Sequence, residues 1–113
     1  YYNNAFAGTD KIKTPVTAGF TTHVFHQYTM VLADGVDREG LQKHLADKGI
    51  ASAVYYPVPL HLQKAYRDPR YKEGDFPVTE HLSHHVMSLP IHTEMNEEML
   101  KEITGAVLEF VDK

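Results

Sequence analysis

His23-Val24-Phe25-His26-Gln27-Tyr28-Thr29-Met30-Val31-Leu32, followed closely by Asp34-Gly35, decides how this chain is read. β-Branched and aromatic residues dominate the run and an Asp-Gly pair closes it, the composition of a strand entering a turn. Period-two geometry puts Val24, His26, Tyr28, Met30 and Leu32 on one face and Phe25, Gln27, Thr29 and Val31 on the other. Apolar groups fall on both faces, so the strand is expected to be covered on both sides. His26 and Gln27 would then need hydrogen-bond partners, which hints at a site.

Working outward, Asp37 is a good helix N-cap, and Val36 with Leu41 has the spacing of a hydrophobic staple. Leu41 and Leu45 lie one turn apart, and Gly49 can take the left-handed conformation that ends a helix. A second strand is expected over Ile50-Ala51-Ser52-Ala53-Val54-Tyr55-Tyr56, stopped by Pro57 and Pro59, which cannot donate to a ladder. Residues 63–74 read as a mobile loop around Asp68-Pro69. Asp75 with Pro77 predicts another helix, with Val78 and Leu82 facing inward. Val86-Met87-Ser88-Leu89 reads as a third strand halted at Pro90. The last helix is capped by Asn96, carries Glu97 and Glu98 at its positive end, and repeats Leu100, Ile103, Val107 and Phe110 at helical steps.

Upstream of the first strand, residues 8–22 form a polar, turn-rich connector with Thr14-Pro15, and residues 1–7 resemble the tail of a connecting helix. A chain opening on Tyr1 in mid-helix is expected to be an excised piece of a longer protein. Residues 23–113 then form the sheet-and-helix core. The element order predicts an α/β (α+β) fold, a small three- to four-stranded, mostly antiparallel sheet with helices packed on it. At 113 residues, with 42% hydrophobic and 23% charged side chains, this is one domain.

Composition narrows the function. The net charge is −4 and the basic residues are scattered, which argues against nucleic acid. No cysteine is present, so disulfides and thiolate metal sites are excluded and a reducing, cytoplasmic setting is expected. No apolar run has the length of a membrane span.

Five pieces in order carry a resemblance: His23-Val24-Phe25-His26-Gln27-Tyr28; Lys48-Gly49-Ile50; Tyr55-Tyr56-Pro57-Val58-Pro59-Leu60-His61-Leu62-Gln63; Gly74-Asp75-Phe76-Pro77-Val78-Thr79-Glu80; and Met87-Ser88-Leu89-Pro90-Ile91-His92. Together they are similar to the C-terminal region of the DegT/DnrJ/EryC1/StrS sugar aminotransferases. The resemblance implies the small domain of a fold-type-I enzyme using pyridoxal 5'-phosphate (PLP). In the full-length enzyme the cofactor would sit on a lysine of an N-terminal domain absent here, and the active site would assemble in a homodimer. The activity implied is transfer of an amino group, from glutamate, to a keto sugar on a nucleotide in surface-polysaccharide or amino-sugar biosynthesis. A UDP-linked 3-keto uronic acid (a UDP-2-acetamido-2-deoxy-3-oxo-glucuronate type) is the substrate the match favours. The piece alone would be inactive and hold no cofactor. The alternative is a free-standing binding or regulatory module.

The positions matching the family's sugar-contacting turn are Tyr55, Tyr56 and His61, with His26 and Tyr28 as second choices. Tyrosine hydroxyls and an imidazole offer directional hydrogen bonds to sugar hydroxyls or a uronate, and Pro57 and Pro59 would hold the turn rigid. The bland reading makes Tyr55 and Tyr56 core aromatics with wet hydroxyls, and His61 a turn histidine. No catalytic or cofactor-binding residue is assigned, since Lys43, Lys48, Lys64 and Lys101 lie in helices or polar loops. Arg38, Arg67 and Arg70 sit in no motif that would clamp an amino-donor carboxylate. His81 and His85 have the i,i+4 spacing of a metal pair, but no third ligand stands at a convincing spacing, so no metal site is expected and zinc should leave thermal stability unchanged.

Overall fold

A computed structural model describes residues 1–113. Four helices and three strands follow in the order α1 (Tyr2–Phe6), β1 (Ile12–Lys13), β2 (Tyr28–Leu32), α2 (Arg38–Asp47), α3 (Pro77–His85), β3 (Val86–Leu89) and α4 (Glu97–Val111). Two single 3-10 turns, Leu60–Leu62 and Lys64–Tyr66, lie between α2 and α3. The sheet is antiparallel in the order β1-β2-β3, with Ile12 opposite Leu32 and Met30 opposite Met87. This is the small antiparallel sheet with packed helices that the sequence predicts. No helix is long and apolar enough to cross a membrane.

Alternation along β2 turns Tyr28, Met30 and Leu32 into the core, where Met87 and Leu89 of β3 join them. Leu41 and Leu45 of α2, Val107 of α4 and Phe6 of α1 complete the apolar centre, and all four are essentially inaccessible. Both long helices are capped as expected. The Asp37 carboxylate accepts from the Gly40 amide at 2.9 Å, and the Asn96 side chain accepts from the Met99 amide at 2.9 Å. A Cβ at Gly40 would stand 2.4 Å from Asp37 Oδ2, the oxygen beside the capping one, so a side chain there would push the cap aside. Gly49, at φ +74°, ends α2 while the Ile50 amide reaches back to the Leu45 carbonyl.

Four expectations need correction. The first strand begins at Tyr28, not His23. Phe25 has φ +46°, its amide donates to the His23 ring, and Val24 is 90% exposed, so the chain turns here instead of running extended. The second strand shrinks to a single bridge, in which Ala53 exchanges both backbone hydrogen bonds with Ser88. The two prolines that follow have no amide with which to continue it. The connector contains β1, which pairs with the outer edge of β2. On α3, Val78 and Leu82 are exposed and the buried position is Ser83. Arg38 reaches across from α2 to donate to the Ser83 carbonyl, tying that end of α3 down by a polar contact instead of an apolar stripe.

Candidate functional site

The segment between Ala53 and α3 leaves the sheet edge and returns as a turn of alternating aromatic, proline and polar residues. Its side chains line a cleft of about 560 Å³, whose wall includes Tyr55, Tyr56, Pro59, Tyr66, Leu82 and Val86. That volume lies inside the range of about 300–1,000 Å³ typical of small-molecule sites. Tyr55 and Tyr56 meet edge to face with ring centroids 5.7 Å apart, and both are substantially exposed. Aromatic faces and phenolic hydroxyls left in water at the mouth of a cleft can stack on a ring and hydrogen-bond at the same time.

The five residues singled out from the sequence are not all brought together. Tyr55 and Tyr56 share the main cleft, and His26 lines a smaller hollow that shares Tyr55 with it. His61 lines a third hollow, joined to the main cleft through Leu60, Tyr66 and Thr79. Its side chain is only 9% exposed, with Nε2 at 3.0 Å from Glu80 Oε1 and the ring steeply inclined to that of Phe76, centroids 4.8 Å apart. Tyr28 stands apart. It is buried against Tyr2 and donates its hydroxyl to Asn3, and burial pushes its phenol up to about 12.

Glu80 is the residue that sequence reasoning missed. Its carboxylate accepts from the Gly74 and Phe76 amides and meets His61, pinning the loop before α3, the first turn of that helix and the proline turn to one point. The Gly74 amide above all, then the Phe76 amide and His61, hold the Glu80 carboxyl below the usual carboxylate range, against an opposing effect of burial. An acidic residue one turn after Pro77 was the available signal, since carboxylates in the first turn of a helix reach back to free amides.

Two of the three arginines are already engaged. Arg38 caps α3 through the Ser83 carbonyl, Arg70 grips Asp68 at 2.8 Å, and no arginine lines the cleft. Every lysine is exposed, and none lines the cleft or the two hollows beside it. The residues present therefore do not fit the role of a Schiff-base nitrogen for PLP. Asp34, distant in sequence, brings a carboxylate to within 4.8 Å of the ligand atoms of His81 and His85, a grouping their i,i+4 spacing alone did not show.

A three-stranded antiparallel sheet with helices packed on it, and an aromatic-proline turn opening a cleft at its edge, define an α/β small domain of the kind found in sugar aminotransferase structures. The chain belongs to the DegT/DnrJ/EryC1/StrS aminotransferase family, whose profile matches residues 1–108. It is 40% identical over 101 residues to a pleiotropic regulatory protein of Geobacillus stearothermophilus, covering 89% of this chain and 26% of that protein. It is 36% identical over 107 residues to the UDP-N-acetyl-3-dehydro-α-D-glucosamine 3-aminotransferase of Acidithiobacillus ferrooxidans, covering 95% and 27%. Among solved structures it resembles S. venezuelae DesV, crystallised with a ketimine intermediate, at a TM-score of 0.90 and 34% identity over 99% of this chain and 29% of that one. The chain thus spans between a quarter and a third of the length of these relatives.

Proposed function

We propose that this chain is the C-terminal small domain of a cytoplasmic, homodimeric, PLP-dependent aminotransferase that acts on a nucleotide-linked keto sugar, with glutamate as amino donor. Tyr55 and Tyr56 form one wall of its sugar-binding cleft. The observation that carries this reading is the pair of exposed tyrosines on a proline-held turn at the mouth of a cleft, in a chain matched to the family over nearly its whole length. PLP, when bound, supplies the electron sink for amino transfer. The lysine that holds it is contributed by the preceding domain, because no lysine here has a suitable setting.

The task of these residues is to bind and orient. The two hydroxyls donate to and accept from sugar oxygens, while the rings exclude water from one side of the sugar. His26 reaches the same region from the adjoining hollow. His61 acts one step removed: with Glu80 it fixes the turn that carries the tyrosines, and it is a positioning residue. Tyr28 is given no contact role, because its ring is buried and its hydroxyl is already bonded to Asn3. The preferred substrate is a UDP-linked 3-keto sugar, a choice supported by the Acidithiobacillus relative.

The test uses the enzyme that contains this domain. Tyr56→Phe is expected to lower kcat/KM for the nucleotide sugar about tenfold, the loss of one hydrogen bond to substrate, while the melting temperature stays within about 3 °C. A fall in stability matching the fall in activity would return Tyr56 to the core. The 113-residue chain by itself is expected to show no amino-transfer turnover. A second reading, a binding or regulatory module, rests on the name borne by the Geobacillus relative. Turnover by the intact protein with a keto sugar nucleotide excludes it.

A further inference from the structure

We propose that Asp34, His81 and His85 form a binding site for one divalent transition ion of the zinc class, a clasp between the turn after β2 and the last turns of α3. The i,i+4 spacing on α3 stacks the two imidazoles at 4.0 Å between centroids and 18° between planes. The His81 carbonyl lies 2.7 Å from His85 Nδ1. A carbonyl only accepts, so Nδ1 carries a proton, and in the neutral ring it is Nε2 that offers a lone pair to an ion. Donation of the second ring N–H to a backbone carbonyl is how metal-ligating histidines are oriented.

Nε2 faces Asp34 Oδ1 at 3.0 Å. Two acceptors at this separation repel unless a proton or a cation stands between them. The second imidazole is close enough for a cation to satisfy all three groups, since the ligand atoms lie within 4.8 Å of one another. Three ligands of a tetrahedral ion, each at about 2.0–2.1 Å, stand roughly 3.3 Å apart, so a modest inward movement completes the set. Asp34 can move, being 89% exposed on a turn whose next residue, Gly35, has φ +86°, and the exposed His81 ring must also turn out of its stack, because near-parallel rings present parallel lone pairs.

The ligand chemistry selects the ion. Two imidazoles with one carboxylate suit zinc, nickel or cobalt, whereas calcium and magnesium call for oxygen cages. The C-terminal end of α3 adds its negative dipole end. Arg38, donating to the Ser83 carbonyl on the same helix, is the positive charge that opposes it. The clasp bears on the cleft, because Leu82 and Ser83 of its wall lie between the two histidines on α3.

Calorimetric titration of the tag-free protein with zinc chloride, without PLP or sugar, tests the site and leaves the aminotransferase reading untouched. One zinc per chain is expected, with a raised melting temperature, and cobalt is expected to give visible d–d bands at the same stoichiometry. His81→Asn, His85→Asn or Asp34→Asn should each weaken zinc at least about tenfold. Asp34→Asn lies on an exposed turn and tests the ion without altering α3. Absence of saturable one-to-one binding would overturn the proposal, as would an isotherm unchanged in His81→Asn/His85→Asn, which would assign the zinc to other histidines.

Discussion

The sheet with α1, α2 and α4 and the stretch from Ala51 to Leu82 are built on different forces. In the first, side chains from every element meet in one apolar cluster, and Met30, Leu41, Leu45, Met87 and Val107 are fully shielded from water. In the second, Pro59 alone is buried, and large aromatics stay exposed. That stretch is shaped by polar fixings: His61 and two amides on Glu80, the Gln63 side chain on the Val58 carbonyl, Arg70 on Asp68, and the Lys72 amide on Asp75. The difference teaches how a small domain can present a wet, aromatic cleft. The apolar body supplies the stability, and the cleft turn keeps its rings out of the core and available to a ligand.

The largest effect expected from breaking this division is in the body. Leu45→Ala should cost about 2–5 kcal/mol in denaturant unfolding, because the cavity it leaves is lined by packed helices that cannot collapse onto it. Tyr28→Phe is expected to cost about 0.5–1.5 kcal/mol, the loss of its hydrogen bond to Asn3. Burial, together with the neighbouring Tyr28 phenol, also pushes Tyr2 up to about 12. Both folded-state values lie above the ordinary 10.0, so this stabilisation is complete below pH 10 and is lost as pH rises toward about 12. Tyr28→Phe should therefore shrink the alkaline loss of stability.

Glu80→Gln sharpens the comparison from the other side. Its folded-state value is depressed below the ordinary 4.5, so its contribution is present above that value and fades as pH falls through the depressed one. The variant should flatten the acid limb of the stability profile. It should also speed hydrogen exchange at the Gly74 and Phe76 amides while leaving core amides of β2 protected. A uniform loss of protection across β2 would show that the two regions are one cooperative unit. Tyr56→Phe closes the series, with a stability change within about 0.5 kcal/mol.

The sequence alone established a good part of this protein. Caps at Asp37 and Asn96, the stop at Gly49, the apolar stripe of α4 and the strand Val86–Leu89 are local features, and short-range chemistry settles them. The family was legible for the same reason, in runs of adjacent residues whose order survives without a structure. The tertiary structure decided the rest. It delayed the start of the first strand to Tyr28, beyond the turn at Phe25, reduced the second to one bridge, and left Val78 and Leu82 exposed on a helix whose end Arg38 tethers. It set Glu80 against His61, and Asp34 against two histidines far along the chain. A residue's own neighbours fix its backbone preference. Which distant polar group reaches it is fixed only when the apolar core has closed and the remaining donors and acceptors must find partners.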